Sequence, residues 1–343
     1  TITVGAATKL GFTQQPNGST GGVAFGTQPK VAIQDAGGNT VTTDSSSVTL
    51  ALTTPAGATL GCTANPTAAA GGIASFAGCK IDKAGTYTLT ATDGALTSAV
   101  SNSLTISVGA ASQFLVTPST TTPNAGSSFT VTLTAADAGG NTVTSYIGTH
   151  TVTWTGAATS PGGNAPSYPT SSVAFTNGVS TTTLTATLFA AGNNDVTASA
   201  TSPAVTGTTT ATVSALTASR LAWTSASNSA GTLSGICYFS CTYTAVGGPG
   251  TTFKAKVSLT DAYGNLVNAT GAVTVTVTKS SGTFTGSATV TIASGTSQSS
   301  TGGDGTVAGE ITFTTRTGSW TTDTLSMSST PSFTGAAASF SKP

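Results

Sequence analysis

The sequence predicts an all-β protein built as three β-sandwiches in tandem, and three observations support this. The chain of 343 residues holds 42 Gly and 13 Pro among abundant Thr, Ser, Ala and Val, while the Leu, Glu, Lys and Arg runs of long helices are scarce. Segments such as KVAIQ, FTVTLTA, AVTVTVTK and YTLTAT place an apolar or aromatic residue at every second position, the pattern of a half-buried strand. One stretch, DAGGNTV at residues 35–41, recurs letter for letter at 137–143 and returns as DAYGNLV at 261–267.

That heptad sets the units. KLGF at Lys9, QFLV at Gln113 and RLAW at Arg220 open an apolar stretch at a matching place before each copy. After it, SFAGCKIDKAGTYTLTATDGALTSAVSNSLTISV is echoed by FAAGNNDVTASATSPAVTGTTTATVSA and then by TRTGSWTTDTLSMSSTPSFTGAAASFSKP. Successive heptads lie about 100 and about 120 residues apart, the excess falling in an insertion before the third. A repeat of this size is too long for a solenoid unit and fits an independently cored sandwich. The expected units are 8–109, 110–217 and 218–343, with residues 1–7 as an extra amino-terminal strand.

The heptad itself reads as a hairpin turn between two strands, fixing their register. Asp35 and Asn39, Asp137 and Asn141, and Asp261 and Asn265 can hydrogen-bond their own turn backbone. Gly38, Gly140 and Gly264 can take the positive φ that such a turn requires. Three copies of one fold need three copies of one turn.

A strand, DAxGNxV, a second strand and then GGIASFAGCKIDKAGTYTLTAT together resemble the bacterial immunoglobulin-like repeats of invasin- and intimin-type surface proteins. The likeness covers the first unit closely and the other two more loosely, since AGTYTLTA becomes AGNNDVTA and then TGSWTTDTLS. It implies three tandem immunoglobulin-like sandwiches outside the cell, and it brings no catalytic residues.

The cysteines agree with that location. Cys62 and Cys79 flank a stretch that would set two neighbouring strands side by side, and Cys237 and Cys241 enclose YFS in the third unit. An even count in a charge-poor, exported-looking chain favours two disulfides, with four buried thiols as the competing reading. His150, the one histidine, lies in the alternating strand GTHTVTW and reads as an outward-facing side chain. One Glu, Glu310, and scattered Asp give no converging acid and base, so no enzyme activity and no cofactor are expected. Calcium linkers are not expected, because TISVGAASQF and TVSALTASRL carry no carboxylate. Asn17 in NGS and Asn268 in NAT match glycan acceptor sequences.

Charged residues make up 6% of the chain and the formal net charge is zero. The basic residues form no cluster, so nucleic acid is not an expected partner, and no apolar run is long enough to span a bilayer as a helix. Strands such as GAVTVTVTK and STTTLTATLF have almost none of the Lys, Pro or inward charges that guard edges. These features favour a secreted or cell-surface structural subunit whose partners are other copies of itself, assembled into a filament or surface layer. The alternative is a stalk or adhesin segment that displays a binding surface for a host or carbohydrate ligand. TITVGAATKL matches TISVGAASQF at 105–114, where the first four residues close one unit. Thr1, Ile2, Thr3 and Val4 therefore read as a donor strand for a neighbouring copy, as the remnant of a longer array, or as the first strand of their own unit.

Overall fold

In the computed structural model, the described residues are 3–225, 240–244, 252–279, 283–285, 288–302, 310–314, 322–335 and 337–341. Their regular structure is all β, and the apolar side chains gather in three separate cores. The second and third cores each draw on two sheets, and the first on two larger sheets and two smaller ones, packing of the immunoglobulin-like β-sandwich kind.

Around the first core, the strand Lys9–Gln14 pairs antiparallel with Lys30–Gln34, and Ile73–Ser75 lies on the far side of the latter. The opposing sheet runs Ala99–Val100, Leu89–Thr92, Ser47–Leu52 and Thr67–Ala68. Alternation decides which residues face inward: Val48 and Leu50 are buried while Ser47, Thr49 and Ala51 are exposed. They meet Leu10, Val31 and Ile33 from the first sheet, and each fully buried Val, Leu or Ile contributes about 1.5–3 kcal/mol. Cys62 and Cys79 are bonded, with an S–S distance of 2.09 Å, beside the short antiparallel pair Leu60–Gly61 and Lys80–Ile81. Cys237 lies outside the described residues, and of Cys241 only its place in the strand Ser240–Thr244 is described.

Around the second core, Gln113–Pro118 pairs with Ser128–Ala136, and the opposing sheet is Thr153–Thr155 with the hairpin Gly192–Thr201 and Ala204–Val213. Around the third, Arg220–Ser225 pairs with Thr252–Thr260, facing a sheet that contains Val273–Lys279. Val273–Lys279 corrects one sequence expectation. It is paired on both sides, with Thr289–Ile292 and Thr322–Thr330, so it is no exposed edge. Leu184–Thr187, from the other supposed edge, pairs with Ser128–Ala136 and meets Ser167 through a bridge at Thr187.

The three opening strands share one register. Lys9 stands opposite Gln34, Gln113 opposite Ala136 and Arg220 opposite Thr260, in each case beside the residue just before the heptad aspartate. The openings and the heptads align in sequence because they touch in the fold.

The heptad is not a hairpin between two paired strands, which corrects the sequence reading. After Asn39 the chain doubles back for only two residues, Thr40 bridging Gln34 and the Val41 N–H donating to the Ile33 carbonyl at 2.9 Å. It then leaves, and the next strand, Ser47–Leu52, belongs to the opposing sheet. The third unit does the same, its next strand Val273–Lys279 lying across from Thr252–Thr260. What the heptad holds in register lies elsewhere.

Candidate functional site

The site is the heptad turn, built three times. Each copy closes on itself through two backbone bonds: the Asp N–H donates to the Asn carbonyl at 3.0 Å in all three, and the following Gly N–H donates to the Asp carbonyl at 3.0, 3.0 and 3.2 Å. The φ values of Gly38, Gly140 and Gly264 are 87°, 76° and 81°, a region that residues with a Cβ rarely enter. Inside each turn the Asp Oδ1 accepts the Asn backbone N–H, at 2.9 Å for Asp35 and Asp137 and 3.0 Å for Asp261.

The second carboxylate oxygen reaches out of the turn. Oδ2 of Asp35 accepts the Gly5 N–H at 3.0 Å, that of Asp137 the Gly109 N–H at 2.9 Å, and that of Asp261 the Leu216 N–H at 3.0 Å. Each donor lies in the segment that leads into the opening strand of its own sandwich. The aspartate therefore pins the linker to the turn. Beside it, Lys9 Nζ donates to the Ala36 carbonyl and Gln113 Nε2 to the Asp137 carbonyl, which is why a long polar residue begins KLGF and QFLV.

The asparagine works across the junction. Asn141 Nδ2 donates to the Asp82 carbonyl at 2.7 Å while its Oδ1 accepts the Ala84 N–H at 3.0 Å. Asn265 repeats this on the preceding sandwich, donating to the Phe189 carbonyl at 2.8 Å and accepting from the Ala191 N–H at 2.8 Å. A carboxamide carries one carbonyl and one NH2, so it can bridge a backbone C=O and an N–H two residues apart much as a strand would. Asp82 and Ala84 lie between Lys80–Ile81 and Gly85–Tyr87, and Phe189 and Ala191 lie between Leu184–Thr187 and Gly192–Thr201. The two receiving loops occupy the same place in their sandwiches.

Close packing surrounds both clamps. At the first junction Lys83 Nζ donates to the Gly139 carbonyl at 3.3 Å, and a Cβ placed on Gly139 would run into the Asp82 carbonyl. At the second, Tyr263 stands where Gly139 does; its carbonyl accepts the Gly162 N–H at 2.8 Å and its ring lies edge-on against Phe189. Asp137 and Asp261 are buried, 1% and 0% exposed.

Two of the carboxylates, those of Asp35 and Asp137, are stabilised as anions by hydrogen bonds. The Gly5 N–H, followed by the Asn39 side chain and N–H, holds the Asp35 carboxyl at about 2 against an ordinary 3.8. For Asp137, burial raises the value, but the N–H groups of Gly109 and Asn141, the Asn141 side chain and the Gly139 N–H outweigh it and the net shift is downward. With their oxygens occupied by N–H donors, these aspartates are structural anions.

Of the other residues singled out in the sequence, His150 is corrected. It is half-buried rather than free, its ring stacked on Tyr146 at 4.1 Å and its two nitrogens within 3.3 Å and 3.2 Å of the Ser202 and Ile147 carbonyls. Asn17 and Asn268 are exposed. Thr3 and Val4 are exposed and outside any strand, and Thr1 and Ile2 lie outside the described residues. The receiving loops were missed as functional, although their shared Ala-Gly, at Ala84–Gly85 and Ala191–Gly192, was present in the aligned repeats.

The sequence matches no protein-family model and no curated protein. Solved structures do resemble it. FdeC, an Escherichia coli adhesin, aligns over the whole of both chains at 18% identity with a TM-score of 0.27. Invasin, described as a bacterial integrin-binding protein, aligns with 93% of this chain and 57% of its own at 13% identity and a TM-score of 0.28. Domains 5–6 of the S-layer protein SbsC align with 62% of this chain and 97% of their own at 16% identity and a TM-score of 0.21. At such TM-scores these likenesses carry no argument about function.

Proposed function

We propose that this chain is a stalk segment of an extracellular or cell-surface protein. Its three immunoglobulin-like units, 8–109, 110–217 and 218–343, are fixed end to end so that a binding surface is held away from its base. The observation that carries this reading is the repeated clamp: the same Asp pins the linker and the same Asn seizes the preceding unit, at both junctions. Tandem units on bare linkers reorient freely, whereas bonds on both sides of a short linker restrict that motion. The Cys62–Cys79 bond suits an oxidising compartment. Assembly of copies into a filament or surface layer is the weaker reading, because one of the two edges it rested on, Val273–Lys279, has partners on both sides.

Small-angle scattering of the purified chain tests the proposal. The expected profile is that of one stiff particle, and Asn141→Ala should broaden the distance distribution while leaving the far-ultraviolet circular dichroism unchanged. A wild-type profile that already needs a flexible ensemble removes the stalk reading. Ordered fibres in negative stain that survive Asn141→Ala restore the assembly reading in its place.

A further inference from the structure

We propose that the turn at residues 35–41 is a docking face for one more immunoglobulin-like unit, joined on the amino-terminal side in the same polypeptide, with the Asn39 carboxamide as its recognition group. The inference rests on the junction geometry that underlies the stalk reading, and extends it to a face where Asn39 is exposed.

Half of the clamp is already closed there. Asp35 Oδ2 holds the Gly5 N–H at 3.0 Å, as Asp137 holds Gly109 at 2.9 Å and Asp261 holds Leu216 at 3.0 Å. In the latter two cases that N–H belongs to chain arriving from a preceding sandwich. The local sequence agrees, since VGAATKL at 4–10 is matched by VGAASQF at 108–114. The Lys9 bond to the Ala36 carbonyl supports the turn from the same side as the Gln113 bond supports the second turn.

The other half has its donor and acceptor ready. Among the described residues, Asn39 Nδ2 bonds only the Asp35 carboxylate, at 3.2 and 3.1 Å, and its Oδ1 accepts no hydrogen bond. Asn39 is exposed, whereas Asn141 is half-buried and Asn265 is 3% exposed, each covered by the loop it grips. No described residue of the first sandwich uses an asparagine carbonyl at this place. At the two other turns it serves solely to accept from the preceding unit.

The partner is defined by chemistry already used twice: a loop that precedes a strand and presents a backbone C=O and an N–H two residues apart, followed by Gly. Asp82 and Ala84 before Gly85 have this form, as do Phe189 and Ala191 before Gly192. Recognition through main-chain groups needs no charge on the partner, in keeping with a chain of formal net charge zero.

The test extends the full chain at its amino terminus with a second copy of residues 8–108, whose closing TISV replaces residues 1–4. The copy then brings its own Asp-Lys-Ala loop to Asn39. By 15N relaxation the added unit should tumble together with the first unit, and exchange of the Asn39 side-chain NH2 should slow about tenfold relative to the unextended chain. Asn39→Ala should free the added unit. This variant also loses the bond to Asp35, but it does so in both chains, so the difference between extended and unextended forms isolates the docking contact. A second extension, with a copy of residues 110–213, serves where the first copy fails to fold.

An added unit that tumbles independently with Asn39 intact, or one unaffected by Asn39→Ala, overturns the proposal. A concentration-dependent dimer of the unextended chain that is lost in Asn39→Ala overturns the assignment to the same polypeptide, because a second copy would then take the face. If Asn141→Ala loosens the existing junction while Asn39→Ala changes nothing, this inference falls and the stalk reading stands.

Discussion

The Tyr263 ring lies against Phe189 across the second junction, with centroids 4.9 Å apart and planes inclined at 63°. At the first junction the corresponding place is held by Gly139, which leaves only backbone against the Asp82 carbonyl. One clamp is thus supplemented by an aromatic pair and the other by close backbone approach. The aromatic pair should contribute about 0.5–1.5 kcal/mol beyond the area it buries. A double-mutant cycle with Tyr263→Ala and Phe189→Ala, followed by denaturant unfolding, should return a coupling energy in that range. Additive single effects would show that the rings touch without contributing.

The backbone junction makes the opposite demand. Gly139→Ala drives a methyl group into the Asp82 carbonyl, and no flexible side chain is there to move aside. Gly37 occupies the same position in the first turn, where a methyl would meet the Asn39 Nδ2 at 3.2 Å and the Asp35 Oδ1 at 3.4 Å. Neither glycine has a left-handed φ, so the comparison isolates packing from backbone strain. Gly139→Ala should separate the first two units in solution scattering and lower the midpoint of unfolding. Gly37→Ala should change neither by a comparable amount.

Period-two alternation made the strands legible in the sequence, because Val48 and Leu50, or Val273, Val275 and Val277, face one way by geometry alone. Recurrence of the heptad marked the units for a similar reason: a turn that must be rebuilt in each fold is rewritten in each. Its role was misread because DAGGNTV satisfies the chemistry of a hairpin turn, and nothing local tells which sheet takes the strand that follows. The junction was harder still. Asn141 grips Asp82 and Ala84 through their backbones, so the receiving loop needs no particular side chain and leaves little trace in its letters. His150 was misplaced because alternation predicts which side of a sheet a residue faces, and the Tyr146 ring that covers it comes from the turn four residues earlier.

The bond between Cys62 and Cys79 closes a loop with a sequence separation of 17. Chain entropy assigns a loop of this size about 3 kcal/mol of stabilisation. Cys79 is fully buried and belongs to the first core, so Cys→Ala changes would confound loop closure with lost packing. Comparing the oxidised with the reduced wild type avoids this. Reduction should lower the stability of the first sandwich by up to about 3 kcal/mol, seen as an early unfolding phase in denaturant that is absent without reductant.

Acid should weaken the protein at its turns. Asp35 has a folded value of about 2 against an ordinary 3.8, and Asp137 is likewise lowered, so the unfolded chain binds these protons more readily than the folded one. A group of this kind contributes stability that is fully present above its unfolded value and lost as pH falls through its folded value. Few other side chains titrate in a chain with 6% charged residues, so denaturant midpoints should stay nearly flat from pH 7 to about pH 4. Below about pH 4 they should fall, and the fall should continue to about pH 2 as the Asp35 carboxylate takes up its proton and loosens its hold on Gly5. Asp35→Asn removes the titrating group and should make this acid limb shallower, at the cost of lower stability at pH 7. Asp137→Asn should do the same and also loosen the first junction in solution scattering, since the carboxylate that pins Gly109 orients the Asn141 side chain as well. A loss of stability centred between pH 7 and pH 5, or an acid limb unchanged in both variants, would place the acid-sensitive groups elsewhere.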